Sequence, residues 1–153
     1  MIVVLIVITG LMAGIYFSFS VFIMKSFSML PGVVAATAMN KINDVIVNTA
    51  FLPVFVSSTL WFFGLIIWSI ADWQGLKSQL VIAAAVIYIV GMFSVTAFGN
   101  VPLNNALRSS ANDEMSLVTN WRKYLKLWTR LNHIRTLSCI AACTLLTLSQ
   151  ISV

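Results

Sequence analysis

Charge is what this chain has least of. Only 8% of its residues are Asp, Glu, Lys or Arg, against about 25% in a soluble protein. A water-facing surface cannot be assembled from so few, which excludes a soluble globular domain. Histidine occurs once, as His133, and no acid or cysteine is spaced to join it, which argues against a zinc or copper site. The two cysteines, Cys139 and Cys143, lie one helical turn apart with no second pair. They suit small buried apolar side chains better than a redox couple. Also missing are a glycine-rich phosphate loop, a dinucleotide fingerprint, a Ser-His-Asp arrangement and paired catalytic carboxylates.

What is present is apolar length. Residues 1–24, 45–71, 78–107 and 136–153 carry no charge at all. A membrane-spanning helix needs roughly 20 mostly apolar residues. The chain is therefore expected to form a single all-α transmembrane domain over 1–153, an integral membrane four-helix bundle running up-down-up-down. Spanning helices are expected at 2–25, 45–71, 79–99 and 131–151, with cytoplasmic segments at 26–44 and 100–130. The last helix is expected to start near Met115 and run to the end, so that it projects into the cytoplasm as a helical extension. The first apolar run has no positive segment before it and no small-residue cleavage pattern, so it reads as a retained span and not a signal peptide.

Basic residues set the expected orientation. Lys25, Lys41, Arg108, Arg122, Lys123, Lys126, Arg130 and Arg135 fall on one side and Lys77 alone on the other. Positive residues stay cytoplasmic, which places both termini on the non-cytoplasmic side of a plasma or inner membrane. Because these residues hug the membrane, they suit anionic lipid and argue against nucleic acid. The Gly10-x-x-x-Gly14 spacing suits close packing within one chain and leaves room for a homo-oligomer. Pro53 is expected inside the second span, where it would free the carbonyl of Thr49. Asn100, just before Pro102, has the character of a cap for a new helix.

One stripe stands out. Trp121, Tyr124, Trp128, Asn132 and Arg135 follow at steps of three, four, four and three, which puts them on one face of the last helix. Polar groups carried into a membrane cost free energy unless they are paired or functional. Three asparagine patches lie on the same side of the membrane: Asn40, Asn43 and Asn48; Asn100, Asn104 and Asn105; and Asn132. Such a set suits either a hydroxylated or carbonyl-bearing ligand or plain hydrogen bonding between helices. Three fates are open to Arg135. It can snorkel to lipid phosphates, pair with Asp44, or hold an anionic ligand as a charge that never deprotonates. His133, about 100° off the stripe, is a general base only if it turns to the pocket. A haem or metal held through it alone is disfavoured, and no cofactor is expected. The aromatic residues suit either the wall of a ligand pocket or an internal packing seam.

The set Met39-Asn40-x-Ile42-Asn43, Asn100-Val-Pro-Leu-Asn104 and Trp121-x2-Tyr124-x3-Trp128-x3-Asn132-x2-Arg135-Thr136 resembles the membrane family that includes the anthrone oxygenases. The resemblance runs from about Gly10 to Cys143, and the last motif is its most specific part. It implies a hydrophobic aromatic or quinone-like small molecule as ligand, oxidised by dioxygen as an anthrone-type monooxygenase does, with no recognised cofactor motif. By similarity, Arg135 and Asn132 would stabilise an oxyanion, and Asn43, Asn100 and Asn104 would orient the ligand. Trp121, Tyr124 and Trp128 would line the pocket, with His133 or Tyr124 moving the proton. The alternative is a non-catalytic small membrane subunit that binds lipid or another protein.

Overall fold

A computed structural model describes residues 2–151. It is all helix among the described residues, with five helices in chain order. They are α1 (Ile2–Ser28), α2 (Gly32–Ile46), α3 (Phe51–Ala71), α4 (Leu76–Ser109) and α5 (Glu114–Ile151). All but α2 are long and apolar enough to cross a membrane. The 21 residues of α3 rise about 31 Å, the thickness of a hydrocarbon core. The 38 residues of α5 rise about 57 Å, so that helix must project beyond the bilayer.

Two apolar clusters stack along α5. One joins α1, α3, α4 and the distal half of α5 through Leu5, Met12, Phe62, Tyr88, Cys139 and Leu146. The other seats α2 against the proximal half of α5 through Ala35, Ala36, Met39, Leu117 and Trp121. α5 packs along both α1 and α4, whereas α3 packs on α4 and touches α1 only lightly. Between the clusters lies a polar layer in which Asn100, Asn132 and Arg135 are buried and Ser20 and Thr96 partly so.

Several local expectations need correction. Residues 45–46 complete α2, residues 47–50 form a turn, and α3 begins only at Phe51. Pro53 therefore falls in the first turn of α3, where backbone N–H groups have no helical partner anyway. Thr49 lies in the exposed turn, its hydroxyl donating to Ile46 O at 2.8 Å and accepting from Phe51 N at 3.3 Å. Asn100 caps no helix, because α4 runs on through Pro102 to Ser109. The chain absorbs the missing proline N–H by widening first into π-helical turns at Ile89–Ser94 and Thr96–Asn100.

Close helix approach is also placed differently from the G-x-x-x-G reading. A Cβ on Gly10 would make only an ordinary contact, 3.9 Å from Cys143 Sγ, and one on Gly14 would meet nothing within 4 Å. The tight point is Gly91, where a Cβ would fall 1.9 Å from Ser138 Oγ. Glycine there lets the π-turn of α4 press against α5. At the opposite end of the bundle, Gly75 takes φ 60° in the turn that joins α3 to α4.

Candidate functional site

The five stripe residues face inward. Trp121, Tyr124, Trp128, Asn132 and Arg135 are all buried, Arg135 being 5% exposed. The three rings form a ladder, with centroids 5.6 Å apart for Trp121–Tyr124 and 5.8 Å for Tyr124–Trp128. Its polar edge is already occupied. Asn104 Oδ1 accepts both the Tyr124 hydroxyl at 2.8 Å and Trp128 Nε1 at 3.0 Å. Asn100 Nδ2 donates to Trp128 O at 3.3 Å.

Asn132 ties α5 to α1. Its Nδ2 donates to Tyr16 O and to Ser20 Oγ, both at 2.7 Å. The Tyr16 carbonyl sits just ahead of a π-turn at Phe19–Ile23, where the backbone ladder is widened. Asn132 Oδ1 accepts Arg135 Nη2 at 2.7 Å, and Arg135 Nη1 reaches Thr96 Oγ1 at 3.4 Å. The guanidinium carbon lies 4.4 Å from the Tyr16 ring centre and 4.9 Å from that of Trp128. Two aromatic faces thus help to hold a cation inside the membrane.

No carboxylate neutralises that cation. Asp44, the acid expected to reach it, pairs instead with Arg108 across α2 and α4, and this is the one ion pair among the described residues. A buried charge without a counter-ion is costly, so its persistence points to use. Arg135 Nε makes no hydrogen bond at all.

A cavity of about 160 Å³ is lined in part by Arg135. Its walls are apolar, built from Ile15, Phe19, Met39, Phe51 and Phe55 on α1, α2 and α3. Its polar end holds Arg135, Thr96, Asn104 and Asn43, with the Trp128 and Tyr16 rings beside them. Asn43 lies near the Tyr124 hydroxyl, yet its Nδ2 is buried without a well-formed hydrogen bond. Arg135 and Asn43 both line the apolar hollow, and each carries a buried N–H donor, Nε and Nδ2, without a well-formed hydrogen bond. That combination suits a flat molecule with an anionic or carbonyl oxygen at one edge.

The residues marked by the sequence divide accordingly. Arg135, Asn43, Asn104 and Trp128 line the cavity. Asn132, Asn100, Tyr124 and Trp121 lie behind it and fix those that do. His133 is exposed, away from the cavity, so it is not positioned to act as a base there. Tyr124 already donates its proton to Asn104. The titratable residues lining the cavity are Arg135 and Tyr16. Tyr16 was not singled out by motif, although Tyr16 and Ser20 lie an i, i+4 step apart on one face of α1. Among the described residues no group of three His, Cys, Asp or Glu side chains gathers to hold a metal. A larger recess of about 310 Å³ lies at the far end of the bundle, by Trp68, Asp72 and Lys77, and none of its residues carries a buried unpaired polar atom.

The fold and the site together define an integral membrane helical bundle that keeps an unneutralised arginine at the end of an apolar hollow. The chain belongs to the anthrone oxygenase family, whose model matches residues 42–145, roughly two thirds of its length. The matched region contains Asn43, Asn100, Asn104 and the whole α5 stripe, and leaves Tyr16 and the rest of α1 outside. No curated protein and no solved structure matches the chain.

Proposed function

We infer that this protein binds a hydrophobic aromatic molecule through an ionised ring oxygen and promotes its oxidation by dioxygen. The observation that supports this reading is the Arg135 guanidinium, a donor with no carboxylate partner that lines an apolar cavity together with a second donor, the Asn43 amide. A phenol or enol whose oxygen meets these donors ionises more readily, because the positive charge favours the anion. Such an electron-rich anion passes an electron to dioxygen. For an anthrone-type substrate the overall change is a ring CH₂ plus O₂ going to a ring C=O plus H₂O. Asn132 and Thr96 orient the guanidinium, and Asn104 fixes the Trp128 wall. In this reading the basic end of the bundle, with the cavity, faces the cytoplasm of a plasma or inner membrane.

The test is oxygen uptake by purified protein in lipid nanodiscs with two substrates, a hydroxyanthrone and a single-ring hydroquinone. Loss of uptake in Arg135→Gln with retained helicity supports the reading, and unchanged uptake rejects it. The second reading, a non-catalytic membrane subunit, draws on one specific observation. The Tyr124 and Trp128 donors are both consumed by Asn104, as in an internal seam that seats α5 on α4. Stoichiometric recovery of a partner protein in mild detergent, with no uptake activity, would favour it.

A further inference from the structure

The cavity is small for its depth of aromatic lining, and it is not closed. About 160 Å³ is close to the volume, about 150 Å³, of an engineered cavity that accepts benzene. It has room for one six-membered ring, not for three fused ones. Three of the residues bordering it are also largely exposed: Val47 at 51%, Leu52 at 41% and Val101 at 41%. All three are aliphatic. Val47 lies in the turn that ends α2, and Leu52 is the second residue of the spanning helix α3. This rim therefore sits at the edge of the hydrocarbon layer, where the contact between α1 and α3 is thin.

The water side is covered. α2 lies over the cavity with Met39, Ile42 and Asn43, and the Asp44–Arg108 ion pair fastens it to α4. Beyond α2, the hydrogen bonds of Tyr124 and Trp128 to Asn104 close the aromatic ladder against α4. A molecule reaching Arg135 finds a polar, fastened face on one side and an aliphatic opening on the other.

We propose that the ligand is a single-ring phenol, quinol or quinone carrying an apolar chain, which enters from the bilayer between Val47 and Leu52 and leaves its chain there. The proposal rests on the anion-holding role given to Arg135 above and adds the ring count, the chain and the route. The ring oxygen sits at the polar end of the cavity formed by Arg135 and Asn43, the ring fills the hollow against Phe19, Phe51 and Phe55, and the chain passes over the rim. A lipid-dissolved ligand suits an entrance that carries no charge.

The experiment uses the full chain in phosphatidylcholine nanodiscs and three probes. One is 4-nitrophenol. The second is a 2-nitrophenol with a dodecyl chain para to the hydroxyl, prepared with a diazirine either beside the ring or at the chain end. The third is a hydroxyanthrone. Phenolate absorbance reads the anchor, and photolabelled peptides read the route. The ring-proximal diazirine should label the peptide holding Val47 and Leu52, and the chain-end diazirine should label lipid. Leu52→Trp should weaken the chain-bearing probe at least tenfold more than it weakens 4-nitrophenol. The hydroxyanthrone should compete at least tenfold more weakly than the chain-bearing probe.

Label on α5 or on α2 upstream of Val47, or an unaffected Leu52→Trp, overturns the route. A hydroxyanthrone that competes as well as the chain-bearing probe overturns the ring count. In both cases the Arg135-dependent phenolate signal would remain, and the anion-holding role with it. Absence of that signal for every probe overturns both.

Discussion

Arg135 and Asn132 stand one turn apart on α5, with Arg135 Nη2 donating to Asn132 Oδ1 at 2.7 Å. The two ends of the asparagine amide do different things. Its oxygen aims the guanidinium, and its nitrogen grips α1 at Tyr16 O and Ser20 Oγ. The cation is oriented without being neutralised, which leaves its charge available to a ligand.

Replacing Asn132 should therefore separate structure from charge. Asn132→Ala removes two bonds to α1, each worth about 0.6 to 1.7 kcal/mol between membrane helices. A lower thermal midpoint in detergent is expected. Asn132→Asp goes further, supplying the carboxylate that Arg135 lacks. Binding of a phenolate probe should fall about tenfold or more, and equal binding in the Asp variant would show that the free charge is not what the ligand meets.

Arg135→Gln should cost binding but not the fold. A hydrogen bond to a charged group contributes about 1.5 to 3 kcal/mol, so anion affinity should drop roughly ten- to a hundredfold. Removing a buried cation that has no carboxylate should leave the thermal midpoint unchanged or higher. Arg135→Lys should recover only part of the affinity, since lysine keeps the charge but loses the planar fit between the Tyr16 and Trp128 rings. A midpoint that collapses in Arg135→Gln would instead mark the residue as structural.

Gly91→Ala should destabilise the bundle, because the added Cβ falls 1.9 Å from Ser138 Oγ and 2.7 Å from Ser138 Cβ. Overpacking of this kind costs about 1 to 3 kcal/mol. Ser138→Gly in the same chain should restore most of the loss, as a double-mutant cycle of unfolding free energies would show. Gly14→Ala, which meets nothing within 4 Å, should be silent by the same measurement.

Acid should loosen the start of α5. Asp113 Oδ2 accepts the N–H of Ser116 at 3.1 Å, and the hydrogen bonds from Ser116 hold its carboxyl below the usual aspartate range. A depressed carboxylate stabilises the fold above its unfolded value, and that contribution disappears as pH falls through the folded value. Amide protection at Met115–Leu117, relative to the intrinsic exchange rate at each pH, should therefore fall below about pH 4, the ordinary aspartate range. Asp113→Ala should show the reduced protection at all pH values.

The division into spans was legible because hydropathy and length alone decide it. The α5 stripe was legible for a related reason, since helical spacing fixes which residues share a face, and that face proved to be the buried one. What spacing within one helix cannot give is a partner across helices. Tyr16 and Thr96 join Arg135 from 119 and 39 residues away in sequence. The choice of Arg108 over Arg135 by Asp44 depends on how α2 lies against α4. The π-turns carry no motif, although they decide both the passage through Pro102 and the contact of Gly91 with Ser138. His133 was marked for its chemistry, but its position off the stripe leaves it exposed.

The central claim is that Arg135 meets a ligand oxygen as an anion. It is tested most directly by titrating the phenolate absorbance of bound 4-nitrophenol in nanodiscs, in the native chain and in Arg135→Gln. The account predicts that the bound phenol ionises at lower pH than the same phenol in protein-free nanodiscs, and that the shift vanishes in the glutamine variant. Ionisation at higher pH in the native chain, or an equal shift in both proteins, would contradict it.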